Sequence, residues 1–185
     1  MASTIKVNTI QAATNAATTI KAHDGTDAIT IDTSGRVSQP VLPACFWQGG
    51  NEGNVSMTNS ERFWSTNDGQ AAALTDGSGL SYIQGGITYT PATGVFTVPI
   101  DGIYHIHGQA YHNEDNVNFR MGGNINGTQR FMGHAHANMY RGTRTAVATL
   151  KLNANDVITF TLAGGSNCTI YEGQNHTYGF IYLVG

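Results

Sequence analysis

With 185 residues the chain has room for one ordinary domain and a shorter appended segment. Only 11% of the residues are charged and the net charge is −3, so no basic field is available to hold phosphate backbones, and nucleic acid is excluded as an expected partner. A 40% apolar share excludes wholesale disorder, while 23 Gly together with many Thr and Asn favour extended structure with tight turns over helices. In chain order, the opening MASTIKVNTIQAATN has neither the basic start nor the apolar run of a secretion signal. No stretch is long and apolar enough to suggest membrane insertion. Residues 1–43 contain no Phe, Trp or Tyr, and short alternating segments recur: STIKVNTIQ, TTIKAHDG and AITIDTSGRV. Asp24-Gly25 and Ser34-Gly35 mark turns. This segment has too little apolar surface to bury a core alone, so it is either a flexible tail or an extended arm ordered against other chains. The repeated Ile spacing favours the arm. Gln39-Pro40-Val41-Leu42-Pro43 then forms a stiff junction.

From residue 44 to 185 the chain is dense in strand signals. ACFWQ, ERFWS, LSYIQ, GITYT, GVFTVP, GIYHIHGQAYH, VNFRMGGNI, TQRFMGH, RTAVATLKL, DVITFTLAG, CTIYEG and HTYGFIYLV are separated by Gly, Asn and Asp breaks. No βα alternation and no convincing helix occur, so the fold class is all-β, a sandwich or a barrel. In GVFTVPIDGIYHIH, Gly94 permits a tight turn and Phe96 and Val98 share one face. Pro99 ends that strand, Asp101-Gly102 turns the corner, and Tyr104 and Ile106 enter the core. Cys45 and Cys168 form no CxxC pair and read as free thiols of a reducing compartment.

The run Tyr89-Thr90-Pro91-Ala92-Thr93-Gly94-Val95-Phe96-Thr97-Val98-Pro99-Ile100-Asp101-Gly102-Ile103-Tyr104 resembles the Y-x-P-x-T-G-x-F-T-x-P-x-x-G-x-Y signature of C1q-like domains, jelly rolls related to tumour necrosis factor. Leu150-Lys151-Leu152-Asn153-Ala154-Asn155-Asp156-Val157, Tyr171 and the ending Tyr178 to Leu183 are similar to that family's closing motif. Asn155 stands where Gly is common, and Tyr178-Gly179-Phe180 lacks one small residue. Pro43-Ala44-Cys45-Phe46 resembles the P-A-F opening of the first strand with Cys45 inserted. The resemblance implies a ten-strand-type C1q/TNF-like jelly-roll sandwich over 44–185, preceded by the arm 1–43, in a homotrimer. The arm in turn is similar to the amino-terminal arms of bacteriophage tail-fibre and other virion appendage proteins, where it would anchor or intertwine the trimer.

Chemistry is sparse. G-x-S-x-G, phosphate-loop, HExxH and CxxC motifs are all missing, and the 12 acidic residues show no pair spaced for glycoside hydrolysis, so no catalytic residue is expected. Arg130, Arg141 and Arg144 read as surface or interface residues. His105 and His107 stand at i and i+2 of a strand and share a face with Gln109, opposite Tyr104 and Ile106. In the resembled family this outward face lines the threefold axis, where three His pairs would converge. Six imidazoles suit an octahedral transition-metal ion, and three can hold one ion with water. A metal-free seam of neutral, hydrogen-bonded imidazoles and plain solvent exposure stay open beside that reading. No other cofactor is implied. His112, Asn113, Glu114, Asp115 and Asn116 mix amide and charged groups in one loop candidate. His134, His136, Asn138, Tyr140 and Arg141 form a second, and Gln174 and Asn175 belong to a third. Such mixtures suit receptor glycan hydroxyls, or ordinary solvated turns. The expected function is a homotrimeric bacteriophage tail fibre or appendage tip on the virion, assembled in the host cytoplasm and attaching to a host surface glycan or protein. Other virion structural proteins would meet the arm. The alternatives are a structural capsid decoration or head-fibre protein, a non-viral C1q-like recognition module, and a polysaccharide-cleaving fibre enzyme.

Overall fold

The computed structural model describes residues 18–21, 27–38, 42–49, 54–65, 82–115, 118, 120–133, 141–163, 167–171 and 176–185. The chain divides into two compact units, Met1–Leu42 and Pro43–Gly185. In the first, β1 (Thr18–Lys21), β2 (Asp27–Ile31) and β3 (Val37–Ser38) form an antiparallel meander. Its register sets Ile20 opposite Ile29 and Val37 opposite Ile31. The β2–β3 turn is tied by Asp32: one carboxylate oxygen accepts the backbone N–H of Ser34 and of Arg36, and the other accepts Arg36 Nε at 2.6 Å. These bonds hold the Asp32 carboxyl below its ordinary range. STIKVNTIQ and the Asp24-Gly25 turn lie outside the described residues.

The second unit is all-β. Its strands are β4 (Ala44–Gln48), β5 (Asn54–Met57), β6 (Tyr82–Gln84), β7 (Thr88–Thr90), β8 (Val95–Thr97) and β9 (Gly102–His112). Then come β10 (Met121–Ile125), β11 (Thr128–Gly133), β12 (Gly142–Leu152), β13 (Val157–Leu162), β14 (Cys168–Tyr171) and β15 (Tyr178–Leu183). Among the described residues the only helical element is a 3-10 turn, Pro91–Thr93, closed by Gly94 at φ +62°. A Cβ at Gly94 would sit 2.6 Å from the Phe63 carbonyl oxygen, so both conformation and space demand glycine. All pairings are antiparallel. One sheet runs β11-β10-β13-β8-β7. In the other, β9 pairs β12 along its whole length on one edge and β15, then β14, on the opposite edge. Strands β4 and β6 continue that sheet beyond β15.

The two sheets enclose a ring-rich core. Trp47 of β4 stacks on Phe96 of β8 with centroids 4.2 Å apart, and Phe96 stacks on Tyr89 at 4.7 Å. Trp64 meets Trp47 and Phe160 edge-on at 5.1 and 5.2 Å, an arrangement the ring quadrupoles favour. Gly108 and Gly179 are register partners beneath these rings. A Cβ on Gly179 would fall 2.2 Å from the Trp47 ring, and one on Gly108 2.4 Å from the Phe160 ring. Gly179 is therefore demanded by Trp47.

Three local expectations are corrected. ERFWS is not a strand: Arg62 makes a single bridge to Thr161, and Ser60 and Trp64 take positive φ values of 77° and 59°. The segment folds over β13 instead, with Phe63 N–H donating to the Phe160 carbonyl and Ser60 N–H to that of Leu162. Arg144 is not a surface residue, because the alternation of β12 turns it inward with Ala146 and it is 7% exposed. It lies opposite Ala110, whose small side chain leaves it room, and Nη1 donates to the Thr143 carbonyl. His112 is not a loop residue; it ends β9 on the core face and is fully buried. Asn155 takes φ +70°, a conformation Asn tolerates better than most residues, which accounts for its standing in place of Gly. Beside it, Asp156 accepts Asn126 Nδ2 and the Asn153 N–H, both at 2.8 Å, closing the β12–β13 turn.

Candidate functional site

The alternation of β9 puts Tyr104, Ile106, Gly108, Ala110 and His112 inward, and leaves Ile103, His105, His107, Gln109 and Tyr111 outward. Cross-strand register then lays out the outward face in rows. Tyr82, Phe46, Phe180, His107 and Val147 stand side by side across five strands. Gln84, Ala44, Tyr182, His105 and Thr149 form the next row, and Gln48, Tyr178, Gln109 and Thr145 the row on the other side. None of the three rows contains a charged residue; Lys151, opposite Ile103, is the cation beyond them. Tyr82, Val147 and Tyr182 are 48%, 50% and 43% exposed, so a single chain leaves this face uncovered.

Within it the rings of β9 and β15 interleave. His107 lies nearly parallel to Phe180 and Tyr178, at 4.6 and 5.6 Å. His105 stacks on Phe180 at 5.7 Å and meets Tyr182 at 5.3 Å. Tyr178, His107, Phe180, His105 and Tyr182 thus form one ladder, and Phe46 joins it beside Tyr178 and Tyr82. At the far end Tyr111, Tyr171 and His176 form a further cluster with centroids 5.2 to 6.4 Å apart. His105 Nδ1 is 2.9 Å from Thr149 Oγ1. His107 Nε2 is buried with no hydrogen-bond partner. Burial, and secondarily the neighbouring His105, hold the His107 imidazole below its ordinary range.

The histidine pair is therefore placed on the outward face together with Gln109, but packed against rings. Among the described residues of one chain no three His, Cys, Asp or Glu gather to hold a metal ion. An ion shared between chains would have to use His105 Nε2 and His107 Nδ1, since the other two nitrogens are bonded or covered.

The expected recognition residues separate. His112 and Arg144 face inward, where burial lowers the proton affinity of both and the Arg144 charge lowers that of His112 further. Asn113 is held by its N–H on the Thr169 carbonyl and its amide on Asn54 Oδ1 at 3.3 Å. Glu114 accepts the Thr169 hydroxyl. Asp115 accepts the Arg141 N–H at 3.3 Å and faces its guanidinium at 3.7 Å, which joins two of the expected loops. Asn116, His134, His136, Asn138, Tyr140, Gln174 and Asn175 lie outside the described residues. The loop reading overlooked a polar cleft of about 360 Å³ on the other sheet, lined by Asn124, Gln129, Thr159, Thr161, Ser60 and Arg62. Asn124 donates to Thr161 Oγ1 at 3.0 Å there, and Arg62 to the Thr93 carbonyl at 3.2 Å. Its signal was the polar alternation T-x-T in ITFTL, which sets two hydroxyls on one side, with Asn124 of GGNING the register partner of Thr159.

No protein-family model matches the chain, and no curated protein matches it. Solved structures do. A structure of Eiger TNF from S. frugiperda superposes with a TM-score of 0.58 at 15% identity, covering 80% of this chain and 94% of that one. Murine APRIL superposes with a TM-score of 0.52 at 14% identity, covering 77% of this chain and 99% of that one. At such identities the likeness concerns the fold, and it is specific: this chain carries a TNF-like jelly roll.

Proposed function

We propose that this chain is a non-catalytic recognition protein that works as a homotrimer, joined through the uncharged aromatic face of β4, β9, β12 and β15. The supporting observation is the ring ladder Tyr178–His107–Phe180–His105–Tyr182, flanked by Tyr82 and Val147 that remain about half exposed. A soluble chain gains by covering such a face, and a second copy of the same uncharged face is a partner with no charge to desolvate. The resemblance of the 89–104 run to C1q-like and TNF-like domains implies the same outward face at the threefold axis. In this reading the seam is metal-free, its imidazoles packed against the rings of β15.

The finer role is the tip of a bacteriophage tail fibre or virion appendage, assembled in the host cytoplasm, with the arm meeting other virion proteins. What supports it is the low-charge Thr/Asn/Ala arm and its likeness to virion appendage arms. Host attachment would fall to the Asn113–Asp115 and Arg141 rim and to neutral or weakly charged polysaccharide, with trimeric avidity strengthening weak contacts. Size-exclusion chromatography with light scattering should give three chains per particle for the full chain and one for Phe180→Lys. Saturable binding of host surface polysaccharide by the trimer, without release of reducing ends, supports attachment; sugar release would replace it by an enzymatic role.

A further inference from the structure

The aromatic seam also contains the groups that can turn it off. We infer that trimer assembly through this face is linked to protons: it is complete while His107 is neutral and reverses when that imidazole is protonated in mildly acidic solution. The inference rests on reading that face as the self-association surface.

Two observations and one consequence of the proposed trimer carry it. First, His107 is clamped flat between Phe180 and Tyr178, and its Nε2 is already buried without a partner before any second chain arrives. A proton placed there would create a cation whose N–H has nothing to donate to. Secondly, among the described residues no surrounding element supplies a compensating anion. Strand β15 presents Tyr178, Phe180 and Tyr182, and β12 presents Thr145, Val147 and Thr149. Strand β4 presents Ala44, Phe46 and Gln48, and β6 presents Tyr82 and Gln84. On β9 itself the neighbours are Ile103, Gln109 and Tyr111, with His176 beside Tyr111 and the cationic Lys151 opposite Ile103. Thirdly, the proposed threefold arrangement would bring three His107 rings together, where each proton bound would disfavour the next by like-charge repulsion.

Ring faces attract cations and would oppose this trend. Burial nevertheless prevails at His107 in the single chain, whose proton affinity is already reduced, and a covering chain removes still more water. The sign follows. An imidazole whose pKa falls on assembly leaves the trimer binding fewer protons than three separate chains. Association is then at full strength above the free-chain imidazole range, at or below about 6.5, and weakens as pH drops through it. With one linked proton per chain, the three-chain association constant falls by about a thousand-fold per pH unit over that window.

The test is sedimentation equilibrium of the full chain at pH 7.5, 6.0 and 5.0, with circular dichroism recorded on the same samples. The wild type should be trimeric at pH 7.5 and dissociate to folded monomers by pH 5.0. His105→Phe/His107→Phe, which keeps the ring ladder and removes the protons, should stay trimeric throughout; His105→Gln/His107→Gln serves if the first variant does not fold. A wild-type chain that is monomeric at every pH removes the self-association reading and this inference with it. A trimer whose association constant does not change with pH overturns the inference alone. So does dissociation at pH 5.0 that persists unchanged in the double variant or that occurs only with loss of the β-sheet signal.

Discussion

The two faces of the sheet formed by β4, β15, β9 and β12 are built from the same kind of residue and end in different states. Inward, Trp47 finds Phe96 and Phe160 of the opposite sheet, and Tyr104, Ile106 and Ile181 have no exposure at all. Outward, Phe180, Tyr178 and Tyr182 find rings of their own sheet, the imidazoles of β9 and Phe46 of β4, and Tyr182 keeps 43% of its surface in water. Ring stacking supports folding on one side because a second sheet excludes water there. On the other side the same stacking orders the rings without hiding them. The ladder is thus preorganised for a partner, with rotamers already fixed, which lowers the entropy that binding must overcome.

Substitutions can break this contrast in graded fashion. Trp47→Ala removes the ring shared by Trp64, Phe96 and Phe160 and should destabilise the chain by about 3–5 kcal/mol, read as a lower denaturant midpoint. Gly179→Ala pushes a methyl into that same ring and should cost about 1–3 kcal/mol; an unchanged midpoint would refute the close approach. Acidification comes next. The pKa of His107 is lowered by burial, and that of His112 by burial and by Arg144. The unfolded chain therefore binds more protons, and stability should be full above about pH 6.5 and decline as pH falls through that value. Urea midpoints at pH 7.5 and 5.5 check the direction, and a midpoint that rises on acidification would contradict it. The smallest effect on folding belongs to the outward face: Tyr182→Ser should shift the single chain's stability by no more than about 0.5 kcal/mol while weakening self-association. Equal losses in both measurements would erase the distinction between the faces.

Much of the inward face was legible from alternation. Phe96 and Val98 share the core side as their spacing implies, and Tyr104 and Ile106 follow after the Asp101-Gly102 corner. Parity extended over all eleven residues of β9 would also have turned His112 inward, and the same rule on β12 would have buried Arg144. Both were misplaced because polar side chains suggest surface, whereas Ala110 and Ala146 had already left space beside them. The Ser60–Trp64 segment was illegible for another reason. Its hydrophobic pattern reads as a strand, but two positive φ values at non-glycine residues are imposed by tertiary contacts on β13. Of the outward site, the imidazole pair was visible as HxH, while its ladder with Tyr178, Phe180 and Tyr182 required the β9–β15 register.

The two cysteines follow from the inward face in a different currency, that of time. Cys45 on β4 is 1% exposed and Cys168 on β14 is 2% exposed, and burial pushes both thiols up to about 12. A thiolate is the reactive form, so neither sulfur can be alkylated until its strand opens to water. The labelling rate of Cys45 then clocks the release of the strand that carries Phe46 to the seam, and that of Cys168 clocks the β5–β14 edge. A partner that covers the outward face should slow the first clock and leave the second running.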